Sequence, residues 1–172
     1  MYISSHSADV ILSDIRPVKL ELDALGSLNT ILDEILAKVI LSAHSLSTDK
    51  LKSGLLRVLP TPLGKEALLE AELELRAYWE RTKASSPVSA NGHSDNRFNV
   101  QWAVELVRLK CEAYSTLNDS DEDSQAERRL NDRLGSPELG CSPTLVAPAA
   151  LYMTAILEHI LSNIGRVATR DS

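Results

Sequence analysis

The sequence predicts an all-α fold, and three observations support this prediction. Leucine, alanine and glutamate are abundant, and all three favour helices. Aromatic residues make up only 4% of the 172 residues, which disfavours a β-sandwich or barrel. Apolar residues recur three and four positions apart over long stretches, which is the spacing of one helix face. The apolar fraction of 44% is enough for the core of one domain or of two small halves sharing a core.

The first part of the chain, residues 4–83, contains four predicted helices in the order short, long, short and long. The first covers 4–15 and ends before a proline, because the residue before proline avoids the helical conformation. The second runs over 22–43. The third begins in a Ser-Thr-Asp segment typical of a helix start and occupies 47–59. The fourth runs over 62–83, and the residues expected on its inner face are Leu63, Ala67, Leu68, Ala71, Leu75 and either Tyr78 or Trp79.

The long helix over 22–43 is the most regular element of the pattern. Its apolar positions follow the helical spacing almost without exception, so we expect them to face a partner helix. Burying each side chain would stabilise the fold by about 1.5 to 3 kcal/mol before conformational entropy is counted. The residues that we expect in this helix-pairing core are Leu28, Ile31, Leu32, Ile35, Leu36 and Val39.

The second part of the chain starts after a predicted flexible linker. Residues 84–97 are rich in Ser, Pro, Asn and Gly, a composition typical of linkers. A helix is predicted from Phe98 or Val100 to about Leu117. The following segment, 118–144, combines an acidic run with several glycines and prolines, so we expect a mobile insertion.

Ser120, within this insertion, is a candidate phosphosite. Asp121, Glu122 and Asp123 follow it, and these acidic neighbours are typical of a site for an acid-directed kinase. Phosphorylation would add charge to a loop and could change docking to a partner. The alternative is an unmodified loop serine.

The last predicted helix, 147–170, carries more apolar residues than one helical stripe can hold. With Pro148 in its first turn and no later proline, it can run uninterrupted for roughly twenty residues. A helix this apolar must be covered on at least two sides. We therefore expect it to lie at the centre of the fold.

Three motifs carry a resemblance to a known family. The run from Tyr152 to Ile160 resembles the central helix of the histone fold. The stretch 59–72, with its Pro-x-Pro followed by an aliphatic residue, Lys and Ala-aliphatic, resembles the junction before the extra helix in the N-terminal domain of Son of Sevenless proteins. Asp23-Ala24-Leu25 matches the same family at the start of the first long helix. The resemblance covers most of the chain, although the linkers do not match.

This resemblance implies two histone folds in one polypeptide, a pseudodimer like a pair of core histones. Residues 4–83 would form the first half with an extra C-terminal helix, and 98–172 the second half. The second half would lack its third helix, so we expect a fragment, or a chain that borrows this helix from a partner protein or a second copy. The residues expected to complete the helix-pairing core are Tyr152, Ile156, Ile160 and His159, which stands where the family usually has tyrosine.

No motif for catalysis, phosphate binding or metal binding is recognisable in the sequence. Cys111 and Cys141 have no Cys or His at metal-ligand spacing, and the four histidines are far apart in sequence. We therefore predict no enzyme activity, no metal and no cofactor. The chain starts without a signal-peptide pattern and has no membrane-spanning apolar run, so the expected location is intracellular, in the cytoplasm or the nucleus.

The predicted function is a non-catalytic protein-interaction module that docks on, or regulates, a larger signalling protein. The family resemblance adds acidic phospholipid as an expected partner, and the candidate basic residues are Arg76, Arg81, Lys83, Arg166 and Arg170. The alternative is a nuclear histone-fold subunit of transcription or chromatin complexes, which pairs with other histone-fold proteins and contacts DNA. The net charge of −6 disfavours the DNA contact, because binding to the phosphate backbone needs a basic face.

Overall fold

The computed structural model describes residues 5–13, 20–82, 98–113 and 143–168. Within these ranges the chain contains helices and no strand, which confirms the all-α prediction. The helices are α1 (Ser5–Ser13), α2 (Leu22–Ala43), α3 (Thr48–Val58), α4 (Pro62–Thr82), α5 (Val100–Ala113) and α6 (Pro143–Ala168). The predicted linker 84–97, Ser120 and most of the predicted insertion lie outside the described residues.

The observed helices match the predicted ones closely, with one clear difference in α6. This helix begins at Pro143, inside the segment predicted as an insertion, so Pro148 lies within the helix. Proline has no N–H to donate to the preceding turn, and the first turn of a helix needs no such donor. For this reason Pro148 was predicted to lie in the first turn. The prediction placed the start of α6 four residues too late, because Pro143 can also occupy a first turn.

The helix α6 lies at the centre of the fold. It packs mainly against α4, next against α5 and α1, and it also touches α2 and α3. The helix α2 packs mainly against α3 and contacts α5. One cluster of buried side chains includes residues from all six helices. Both parts of the chain therefore contribute to a single core.

The buried face of α2 follows the predicted pattern except at one residue. Leu32, Leu36 and Val39 are fully buried, and Leu28 and Ile35 are partly buried against the same core. Ile31 is 48% exposed, so its predicted place in the core is wrong. Successive helical residues are rotated by about 100°, so a face centred on Leu32 and Leu36 turns Ile31 toward solvent.

The close packing of α2 and α3 depends on Gly54. A Cβ atom at this position would lie 2.7 Å from the carbonyl oxygen of Val39 and 3.2 Å from the Cβ of Ala43. Glycine inside a helix costs about 1 kcal/mol relative to alanine. The contact with the α2 backbone explains why this side chain is absent in the middle of α3.

The contrast between Leu36 and Ile31 can be tested with matched truncations. We expect Leu36→Ala to lower the free energy of unfolding by about 2 to 5 kcal/mol, because it leaves a cavity in the core. Ile31→Ala should change this free energy by about 0.5 kcal/mol or slightly more, as is usual for surface positions. Urea denaturation of both variants measures the difference. Equal losses would contradict the observed orientation of α2.

Candidate interaction surface

The outward side of α4 carries two exposed leucines one helical turn apart. Leu69 is 63% exposed and Leu73 is 58% exposed. Glu66 precedes this pair by three residues and Arg76 follows it by three, so all four residues lie on one side of the helix. We call Glu66, Leu69, Leu73 and Arg76 the outer stripe of α4. On the opposite side Ala67 and Ala71 are fully buried.

The other exposed large apolar residues of the described chain do not form a pair one helical turn apart on the same helix. They are Val10, Leu22, Ile31, Leu41 and Val167. Ile31 and Leu41 share the outward face of α2, but ten residues correspond to about 15 Å along a helix. The ion pair Glu34–Lys38 lies between them, with 3.2 Å between Lys38 Nζ and Glu34 Oε2. Single exposed apolar residues are common on protein surfaces, whereas a contiguous exposed apolar patch is typical of a contact surface.

Leu69 and Leu73 were not among the residues predicted to form a site, although the sequence contains a signal for them. The predicted inner face of α4 contained Ala67 and Ala71, which the structure buries. A residue two positions further along a helix is rotated by about 200°, so it points almost the opposite way. The two leucines are therefore far from the predicted inner face, and their spacing of four residues marks them as a pair.

The helices α4 and α6 run antiparallel. Glu66 Oε2 of α4 lies 3.7 Å from His159 Nε2 of α6. Burial raises the pKa of Tyr152, which is about two turns earlier in α6, and the nearby carboxylate of Glu72, one to two turns later in α4, raises it further. Residue numbers thus increase along α4 while they decrease along α6.

This orientation separates the arginines of the predicted basic patch. Arg76 and Arg81 belong to the later turns of α4, which lie toward the start of α6. Arg166 is in the last turn of α6, toward the other end of α4. The structure does not bring the three arginines together. Lys83 and Arg170 lie outside the described residues.

His159, predicted in the helix-pairing core, lies at the edge between α4 and α6. Its side chain is 16% exposed. Its Nε2 lies 2.9 Å from the side-chain nitrogen Nδ2 of Asn163, which also contacts the backbone oxygen of His159 at 3.2 Å. An amide nitrogen only donates, so Nε2 accepts this hydrogen bond.

The other predicted core residues of α6 are buried. Tyr152, Ile156 and Ile160 are at most 2% exposed. The hydroxyl groups of Tyr152 and Thr154 are buried and have no hydrogen-bond partner in the described structure. Burial raises the pKa of Tyr152 well above its usual range, and the carboxylates of Glu72 and Asp49 raise it further. This tyrosine is therefore a neutral core residue.

A bidentate ion pair joins α2 to α5. Arg108 Nε lies 3.0 Å from Asp33 Oδ1, and Arg108 Nη2 lies 2.7 Å from Asp33 Oδ2. Arg108 Nη1 also donates to Glu105 Oε2 at 2.9 Å. About a third of each side chain in the Arg108–Asp33 pair is exposed. The sequence alone does not predict this pair, because 75 residues separate the partners and neither belongs to a motif.

Comparison with protein-family models, curated proteins and solved structures finds no match to this chain. In the described ranges, His, Cys, Asp and Glu side chains form no group of three or more that could hold a metal ion. None of the six helices is both long enough and apolar enough to cross a membrane. Cys111 is buried, and its thiol donates to the backbone oxygen of Ala150 at 3.6 Å. Cys141 lies outside the described residues.

The environment of Tyr152 predicts a loss of stability at alkaline pH. The pKa of Tyr152 is higher in the folded state than in the unfolded state, where it is about 10. The stability that comes from burying the neutral phenol is therefore complete below pH 10 and is lost as the pH rises above it. Tyr152→Phe removes this loss. Because the hydroxyl has no partner, the substitution should also change stability at pH 7 by less than about 1 kcal/mol, or increase it.

Urea denaturation of both proteins at pH 7 and at several values above 10 measures this difference. If the unfolding free energy of the wild type fell with pH no more steeply than that of Tyr152→Phe above pH 10, this result would contradict the buried, unpartnered position of the hydroxyl.

The Arg108–Asp33 pair predicts a measurable coupling between α2 and α5. In a double-mutant cycle with Arg108→Ala and Asp33→Ala, we expect a coupling free energy of about 1 kcal/mol, the upper end for partly exposed pairs, because the contact is bidentate. The coupling should fall at 1 M salt, where the screening length is only about 3 Å. Urea denaturation supplies the four free energies. A coupling near zero at low salt would show that the pair does not join the helices in solution.

Proposed function

We propose that this chain is a non-catalytic protein-interaction module that docks on, or regulates, a larger signalling protein. The exposed pair Leu69–Leu73 is the observation that supports this function most directly. The apolar residues of α4 that belong to the core are buried, as Ala67 and Ala71 are, or partly buried, as Leu68 and Leu75 are. Leu69 and Leu73 thus contribute little to the core of this chain, although they are large enough to anchor a partner.

The surroundings of the pair fit a docking surface. Glu66 and Arg76 flank the leucines and give the surface a charged rim around an apolar centre, which is the usual arrangement of protein interfaces. Lys52 Nζ lies 2.8 Å from Glu72 Oε1 and ties α3 to α4 beside the stripe. The stripe is therefore presented on a helix that two neighbouring helices hold in place, so little ordering is required on binding.

The proposed architecture is a tandem histone fold, and the element order supports it. The first part of the chain has a short, a long and a short helix followed by the additional helix α4. The long helices α2 and α6 meet over a short stretch, as crossing helices do, and all six helices share one core. In this proposal α4 is the appended helix of the first half, and it covers the long helix of the second half.

Proximity labelling in cells tests the proposed function. We expect a set of neighbouring signalling proteins that is labelled by the wild-type chain and lost with Leu69→Asp/Leu73→Asp, because a charge at each anchor prevents burial. The matched control is Leu22→Asp/Leu41→Asp, which changes two exposed but isolated leucines and should keep the labelled set. Circular dichroism checks that both variants retain their helices.

Each result decides between functions. Neighbours that belong to transcription or chromatin complexes and depend on Leu69 and Leu73 would favour the nuclear alternative. A labelled set that survives Leu69→Asp/Leu73→Asp would show that the outer stripe does not recruit the partner. Binding to anionic lipid vesicles that is insensitive to this variant would assign the main contact to a membrane surface.

A further inference from the structure

We infer that the outer stripe of α4 binds the outer stripe of a second copy of this chain, with the two α4 helices antiparallel. The inference rests on the proposed interaction surface and names one partner for it. It follows from the order of the four residues along the helix, because this order is complementary to itself when one copy is reversed.

The spacing of the stripe suits a helix–helix contact. Glu66, Leu69, Leu73 and Arg76 are separated by three, four and three residues, the alternation of the a and d positions of a heptad. Side chains at these positions form a narrow seam along one side of a helix. Two such seams can interdigitate over roughly three turns of each α4.

A two-fold axis at the level of Ala71 places complementary residues opposite each other. Leu69 of one copy faces Leu73 of the second copy, and Leu73 faces Leu69. Glu66 faces Arg76 of the second copy, and Arg76 faces Glu66. The contact therefore has four leucines at its centre and one ion pair at each end. Both copies use the same surface, as a closed dimer requires.

The charges select the antiparallel orientation. In a parallel pair with the leucines in register, Glu66 would face Glu66 and Arg76 would face Arg76. Like charges that face each other across a helix contact are unfavourable. The antiparallel pair replaces both repulsions by attractions.

The charged ends of the stripe are available for this contact. Arg76 makes no ion pair with any residue in the described part of the chain. The Glu66 side chain is 58% exposed, and its 3.7 Å separation from His159 Nε2 is too long for a hydrogen bond. The contact area is small compared with a standard interface of about 800 Å² per partner, so association should be reversible. Glu70 lies beside the axis, and its proximity to the equivalent residue of the second copy opposes the pairing.

Sedimentation velocity over a wide concentration range tests the inference on the whole chain. We expect a monomer at low concentration and a dimer at high concentration. Leu69→Ala/Leu73→Ala should raise the dissociation constant at least about tenfold, because both anchors are truncated. Leu22→Ala/Leu41→Ala is the matched control with the same change at isolated exposed leucines, and it should dimerise like the wild type.

Charge exchange tests the orientation without touching the leucines. Glu66→Arg alone and Arg76→Glu alone should each weaken dimerisation, since each creates two like-charged pairs. The double variant Glu66→Arg/Arg76→Glu should restore it, because every pair is then attractive again with the signs exchanged. Glu70→Gln changes a carboxylate outside the stripe and should dimerise at least as strongly as the wild type.

Three results would overturn the inference. They are a monomer at every concentration, a dimer unaffected by Leu69→Ala/Leu73→Ala, and a double charge variant no stronger than its two single variants. The first result, together with neighbours in cells that still depend on Leu69 and Leu73, would refute self-association and retain the proposed function. A dimer with the expected charge pattern but no such neighbours would retain self-association and refute docking on another protein.

Discussion

The need to cover α6 on every side determines the rest of this structure. Seven consecutive residues, from Leu151 to Leu157, are buried. Successive helical residues are rotated by about 100°, so seven of them point in every direction around the helix axis. Such a helix cannot lie on a surface. The chain surrounds it with α4, α5 and α1, and with contacts from α2 and α3, so each of these helices covers part of α6.

The covering of α6 also explains why α4 presents leucines to solvent. Ala67 and Ala71 face the core, and their small side chains allow a close approach to the neighbouring helices. Leu69 and Leu73 follow them by two residues and are turned almost to the opposite side. No rotation of α4 can bury both pairs against α6. Any surface that covers the leucines therefore comes from outside the helices that the structure describes.

The sequence sufficed for the helices and for much of the core, because both depend on a local repeat. The spacing of apolar residues located α2 and identified Leu32, Leu36 and Val39 as core residues, all of which are buried. The same spacing also placed Ile31 in the core, but this residue lies on the outward face of α2 and is 48% exposed. The start of α6 was placed too late because two prolines fit a first turn. The Arg108–Asp33 pair could not be predicted from the sequence, because it depends on where two helices that are distant in sequence meet.

The opposite charges at the two ends of the outer stripe restrict what can bind there. A DNA backbone or an acidic lipid surface is negative throughout, so it would attract Arg76 and repel Glu66. The net charge of −6 adds to this repulsion over longer distances. A partner that binds both ends must place a positive charge opposite Glu66 and a negative charge opposite Arg76, with an apolar centre between the two charges. A protein helix provides such a pattern, and the α4 helix of a second copy does so by symmetry.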